Sequence, residues 1–114
     1  MQLIQVARTQ DIPVGQMKGF TVENKQILVA NVEGKYYAMD AICSHLGGYL
    51  PAGTLHNNIV ICPAHSAQYD VTTGKVHKNL NAILRLSTGG GAKDLNIYDL
   101  LVEGDAIKIK ILLQ

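Results

Sequence analysis

The amino-acid sequence predicts an all-β, antiparallel protein. Three observations carry this reading. Apolar residues fall in short runs bounded by Gly, Pro and Asn. Several runs alternate at period two, most clearly Ile107, Ile109 and Ile111 against Lys108 and Lys110, which is the pattern of a strand buried on one face. No stretch in the first forty residues shows the 3.6-residue period of a helix. The chain has 114 residues, of which 47% are apolar and 17% charged. That is one domain, long enough to bury a core without disulfide staples.

Taken in order, Leu3 to Ala7 reads as a first strand, broken by Asp11-Ile12-Pro13-Val14-Gly15, where Pro fixes φ and Gly permits a turn. Lys18 to Glu23 sets Phe20 and Val22 against polar neighbours. Asn24-Lys25 is the expected two-residue hairpin turn. Gln26 to Val32 is a more continuous apolar run, expected as an interior strand, and Glu33-Gly34-Lys35 returns the chain into Lys35 to Asp40. Tyr36 and Tyr37 favour a strand there, one in the core and one at an edge. Thr54 to Asn57, Ile59 to Ile61, Gln68 to Val71 and Val76-His77 read as four short strands. Asn57-Asn58 and Thr72-Thr73-Gly74-Lys75 are turns between them. Ile83 to Leu86 resumes apolar sequence, Thr88 to Gly91 is a loop, and Leu95 to Val102 and Ala106 to Leu112 flank the turn Glu103-Gly104-Asp105.

The segment between the two halves of this pattern carries the chemistry. Cys43-Ser44-His45 and Cys62-Pro63-Ala64-His65 are separated by 16 residues, Leu46 to Ile61. They hold both cysteines and two of the four histidines. Thiolate and imidazole in equal number suit zinc or iron–sulfur chemistry and suit calcium or magnesium poorly. A tetrahedral zinc site is one reading, although common zinc fingers keep two Cys on one arm and two His on the other. A catalytic zinc would need a nearby general base, and no Asp or Glu occurs from Ala41 through Gln68. A Cys43–Cys62 disulfide is the plainest alternative. The formal net charge is +1, with no basic run and no Trp. No charge field therefore directs the chain to nucleic acid or to a membrane surface. The N-terminus lacks the pattern of a signal peptide, and no apolar run approaches the roughly 20 residues of a membrane span. The expectation is a soluble, cytoplasmic monomer.

Cys-x-His, 16 residues, then Cys-x-x-His resembles the motif of Rieske-type [2Fe–2S] ferredoxins of the soluble, disulfide-lacking kind. The likeness runs through Cys43-Ser44-His45-Leu46-Gly47-Gly48 and Cys62-Pro63-Ala64-His65 to Tyr69-Asp70 and the Gly74 turn. It implies an antiparallel β-sandwich base, residues 1–40 and 81–114, with a cluster-binding unit, 41–80, inserted in it. It also implies that Cys43 and Cys62 bind one iron of a [2Fe–2S] cluster, and His45 and His65 the other through Nδ1. Two neutral ligands leave the oxidised cluster uncharged, where an all-Cys cluster is anionic. An added electron meets less repulsion, which places such centres at about −150 to +300 mV. The reduced cluster favours protons on its histidines, so the potential is expected to fall with rising pH.

Within that resemblance, surrounding residues tune the cluster. High-potential respiratory members join the two loops by a disulfide, at positions matched here by Gly48 and Ala64. They also place a Ser hydroxyl where Ala67 stands, and a Tyr hydroxyl toward a ligand thiolate where Tyr69 stands. One tuning hydroxyl of two and no disulfide imply a low to intermediate potential. Leu46, Leu50 and Pro51 are expected either to cover the cluster as an apolar docking tip or to pack the loop. Gly47, Gly48 and Pro63 shape the two loops, with the glycines admitting N–H···S contacts or serving only as a turn. Ser66 replaces the usual Gly after the second His, and the segment Asn81 to Lys93 contains no Pro, unlike the proline-rich covering loop of many members. His56, His77, Lys108 and Lys110 are expected at the surface. The function implied is a non-enzymatic one-electron carrier between a reductase and an oxygenase or other oxidoreductase. A structural zinc domain for partner recognition and a redox-sensing subunit are the alternatives.

Overall fold

The protein is described from a computed structural model covering residues 2–44, 47–64, 67–78 and 92–111. These residues form strands β1 (Gln2–Arg8), β2 (Met17–Val22), β3 (Lys25–Val32), β4 (Lys35–Asp40), β5 (Thr54–His56), β6 (Ile59–Ile61), β7 (Gln68–Asp70), β8 (Val76–Lys78), β9 (Ile97–Tyr98), β10 (Leu100–Glu103) and β11 (Ala106–Ile111). Two 3-10 turns, Thr9–Asp11 and Leu50–Ala52, are the helical elements among them. No helix among the described residues is long and apolar enough to cross a membrane.

Three antiparallel sheets result, in the orders β1-β11-β10, β2-β3-β4-β9 and β5-β6-β7-β8. The second is built on two tight hairpins. Val22 pairs with Lys25 and Val32 with Lys35, so the turns are Glu23-Asn24 and Glu33-Gly34. All four residues have positive φ, between 50° and 95°, the type I′ geometry that matches strand twist. The turn expected at Asn24-Lys25 thus lies one residue earlier. Register decides this, because Val22 must face the core and Lys25 must stand opposite it.

The middle sheet is buried on both faces, which explains why β3 reads as a continuous apolar run. Ile27 and Val29 point to a core shared with Ala7, Ile12, Val22, Ala38, Ile107, Ile109 and Ile111. Leu28 and Ala30 point the other way, into a core with Met39, Leu50, Val60, Tyr69 and both cysteines. The first core joins two sheets as a sandwich. The second joins the sandwich to the β5–β8 sheet. Asn31, 3% exposed, is the buried polar residue of this arrangement. Its amide donates to the Ile12 carbonyl at 2.9 Å and its Oδ1 accepts from Gly34 N–H at 2.8 Å, so its polar atoms are satisfied. Tyr36 donates its hydroxyl to the carbonyls of Thr9 and Ile12, while Tyr37 packs against the second core.

The expected run Leu95 to Val102 is not one strand. It breaks at Asp99, whose carbonyl accepts from Lys110 N–H at 2.9 Å. β9 pairs with β4 in the middle sheet and β10 pairs with β11 in the outer one. The apolar residues on either side of Asp99 serve different sheets, and a hydrophobicity pattern cannot see that crossing. Ile83 to Leu86 and the Thr88–Gly91 loop lie outside the described residues.

Candidate functional site

The two cysteine loops are the ends of two hairpins. In the first, Leu50 N–H donates to the Ala41 carbonyl and Cys43 N–H to the Gly48 carbonyl, both at 2.8 Å. Ile42 and Tyr49 bridge between these rungs. Gly47 makes the return with φ +72°, a conformation open to Gly at little steric cost. In the second, Ile61 pairs with Gln68 and Cys62 N–H donates to the Ala67 carbonyl at 2.8 Å. Each cysteine is therefore the last laddered residue before its loop. The β ladders fix where both sulfurs begin.

The loops face each other across Gly48. A Cβ at that position would lie 2.7 Å from Cys62 Sγ, 3.6 Å from Cys43 Cβ and 3.5 Å from Ala64 Cβ. The first distance is shorter than Cβ atoms show, so a side chain at 48 would require the Cys62 sulfur to shift. Both cysteines are buried, at 2% and 1% exposure, and they do not form a disulfide. The disulfide alternative is thereby removed. Two buried thiols beside a notch that any side chain would fill suit a compact inorganic group with sulfur ligands. Of the four predicted ligands, the structure brings Cys43 and Cys62 together. His45 and His65, with Leu46 and Ser66, lie outside the described residues.

Tyr69, fully buried, sends its hydroxyl to this site from β7. Its oxygen is 3.0 Å from Cys43 Sγ and 3.0 Å from Ser44 Oγ. Burial, reinforced by the bond to Cys43, raises the phenol well above its ordinary pKa, so it is protonated at every physiological pH. Burial alone would also raise Asp70. Bonds from the Thr72 hydroxyl and N–H, a bond from Asn58, and the nearby His77 reverse this and hold the carboxyl below its ordinary range. Asp70 thereby fixes the turn that follows Tyr69.

The structure assigns the apolar surface near the site differently from the expectation. Leu50 is fully buried, where it packs the second core, and so cannot belong to a docking tip. Pro51 is half-buried and Pro63 exposed. Among the described residues, the large apolar side chains exposed beside the cysteine loop are Ile42 at 37% and Tyr49 at 43%. Tyr49 extends its hydroxyl over β2 at Gly19, where a Cβ would collide with it. Neither was singled out from sequence, because alternation about an irregular hairpin has no fixed period. Ser44 was missed as well. It is bonded to Lys93 N–H and to the Lys93 carbonyl, each at 2.8 Å, a contact across 49 residues that no local pattern signals. His56 and His77 are exposed on β5 and β8, the two opposite edges of their sheet. Lys110 is exposed, and Lys108 pairs with Glu103 at 3.0 Å.

Residues 2–87 match the family described as Rieske [2Fe–2S] domain. The chain is 32% identical over 108 residues to the ferredoxin component of the naphthalene 1,2-dioxygenase/salicylate 5-hydroxylase systems of a Ralstonia species, covering 95% of this chain and 94% of that one. It is 36% identical over 88 residues to the ferredoxin component of biphenyl 2,3-dioxygenase of Rhodococcus jostii strain RHA1, covering 77% and 81%. Among solved structures, it superposes on the ferredoxin of carbazole 1,9a-dioxygenase from Nocardioides aromaticivorans IC177 with a TM-score of 0.81 and 25% identity, covering 96% and 97% of the two chains.

Proposed function

The chain belongs to the Rieske [2Fe–2S] domain family, and from that premise we propose that it is a soluble, cytoplasmic ferredoxin taking single electrons from a reductase to an oxygenase. The cofactor is a [2Fe–2S] cluster, and the protein is an electron carrier, not a catalyst. The family match sets aside the structural zinc domain. When bound, the cluster supplies reversible one-electron chemistry. The protein supplies the geometry, the burial and the hydrogen bonds.

One observation carries the assignment of the site, namely the meeting of two buried thiols at Gly48 with a phenol hydroxyl on one of them. On this reading Cys43 and Cys62 hold one iron, and His45 and His65 the other. The chain is then one domain, with a base of residues 1–40 and 81–114 and a cluster-binding unit of 41–80. In support, the β5–β8 sheet draws all its strands from residues 54–78, while the sandwich draws its strands from residues before 41 and after 96. A hydroxyl donated to a thiolate offsets its negative charge and stabilises the reduced state. The partners follow from the relatives, which are ferredoxin components of dioxygenase systems. The exposed Ile42 and Tyr49 give such a partner an apolar contact beside the cysteine loop.

The test is electron paramagnetic resonance of anaerobically purified protein before and after dithionite, with iron and sulfide counted in the same sample. A signal that appears only on reduction, with the low average g of mixed His/Cys ligation, is the expected result. Cys43→Ser and Cys62→Ser should each abolish it, together with the visible absorption. Full iron and an unchanged signal in either variant would remove that residue from the ligand set. Turnover of an oxygenase that depends on this protein and a flavin reductase tests the partners.

A further inference from the structure

The hydroxyl of Ser44 stands at the end of a chain of contacts that leads to Cys43. Its oxygen lies 2.8 Å from Lys93 N and 2.8 Å from the Lys93 carbonyl oxygen. It lies 3.0 Å from the Tyr69 hydroxyl, itself 3.0 Å from Cys43 Sγ. Counting protons restricts what these contacts mean. Lys93 N–H can only donate, so Ser44 Oγ accepts from it. Ser44 gives its one proton to the Lys93 carbonyl at 2.8 Å. Tyr69 has one proton and two acceptors, Cys43 Sγ and Ser44 Oγ. With the Ser44 proton on the Lys93 carbonyl, its oxygen faces the phenol as an acceptor, and the single Tyr69 proton is divided between Cys43 Sγ and Ser44 Oγ. The Ser44 oxygen thus competes with sulfur for the tyrosine proton.

The far end of the chain is fixed. The segment 92–96 carrying Lys93 is tied to four elements. Asp94 accepts from Val76 N–H at 2.8 Å, Leu95 N–H donates to the Gly74 carbonyl at 2.7 Å, and Asn96 N–H donates to Asp40 at 2.9 Å. Ser44 itself provides the fourth tie. A strap held at these points places Ser44 Oγ by backbone and leaves it little freedom to leave Tyr69.

We propose that Ser44 is a positioning residue that draws the Tyr69 hydroxyl partly away from Cys43 and thereby lowers the reduction potential without touching sulfur. The proposal rests on Cys43 being a cluster ligand. It also makes the strap 92–96 part of the tuning apparatus, because Lys93 holds the Ser44 oxygen.

The experiment is a double-mutant cycle on cluster-loaded protein, with the midpoint potential measured in wild type, Ser44→Ala, Tyr69→Phe and the double variant. Tyr69→Phe should lower the midpoint. Ser44→Ala should raise it and should change nothing in the Tyr69→Phe background, and a fall instead would overturn the proposal. Ser44→Thr should restore the wild-type value, and Ser44→Val, of the same shape without the hydroxyl, should not. The Thr and Val pair decides the question even where Ser44→Ala fails to load. Hydrogen exchange at the Lys93 amide should quicken in Val and not in Thr. A Ser44→Ala shift of equal size with and without the Tyr69 hydroxyl would overturn the proposal, as would equal potentials for Thr and Val. An unchanged midpoint in Tyr69→Phe would overturn the proposal by removing the Tyr69 hydroxyl as its route to the cluster, while the ligand role of Cys43 is decided separately by Cys43→Ser. A shift in Tyr69→Phe with none from Ser44→Ala would remove the Ser44 role alone.

Discussion

At Gly48 the lack of a side chain is a requirement of the site. A methyl group would press on Cys62 Sγ at 2.7 Å and force that buried sulfur to turn away from its place beside Cys43. Gly48→Ala should therefore lose most of its iron while keeping the β signature of wild type, as measured by iron content and far-UV circular dichroism. Tyr98 tests a different residue-scale effect, away from the cluster. Its hydroxyl donates to Asp40, and burial together with that carboxylate pushes the phenol well above its ordinary value. A phenol with a raised folded pKa contributes stability that is complete below its unfolded value of about 10. That stability is lost as pH rises through the folded value. Tyr98→Phe should cost about 1–2 kcal/mol near neutrality. The gap between variant and wild type should narrow above about pH 10, read from urea midpoints across that range.

Hairpin turns decide how well each element could be read. Glu33 holds φ 55° before Gly34 at 95°, a left-handed conformation that costs a residue other than Gly or Asn about 1–2 kcal/mol. Glu33→Asn creates the Asn-Gly turn that type I′ geometry prefers, and should raise the thermal midpoint by a few degrees, about 1 kcal/mol. The strands β3, β4, β6 and β11 were legible from sequence because burial on a pleated sheet repeats every two residues, or fills every position when both faces are covered. The first turn was misplaced by one residue because Glu23 offers no chemical sign of positive φ. The split at Asp99 escaped notice because both sides are apolar and only pairing partners distinguish them. The pairing of Cys43 with Cys62 was legible because residue type and spacing carry their chemistry, while His45 and His65 lie outside the described residues. The Ser44–Lys93 contact was not legible, since it arises only when the strap folds back over the loop.

In the whole molecule, the middle sheet separates two cores with different duties. Ile27 belongs to the sandwich core, and Leu28, its neighbour in sequence, to the core that contains both cysteines. Both are fully buried, so Ile27→Ala and Leu28→Ala should each cost about 2–5 kcal/mol. They should differ in what else they disturb. Leu28→Ala should broaden the cluster's paramagnetic signal and hasten cluster loss, and Ile27→Ala should leave both as in wild type at equal stability loss. Chemical denaturation paired with the decay of visible absorbance would separate the two. Equal effects on the cluster would mean that the middle sheet transmits strain from one core to the other.

The facing pair Gly48 and Ala64 has a consequence for how the molecule meets thiols and oxidants. A Cβ on Gly48 would stand 3.5 Å from that of Ala64, the spacing of bonded cysteines, yet neither position carries sulfur. A thiol reductant therefore finds no bond there to open, and a peroxide finds no pair to close. The two thiols that do exist are sealed below the surface. The molecule has one electron account and no second, two-electron couple beside it. Its readiness to accept charge follows its donor and not the thiol balance of its surroundings.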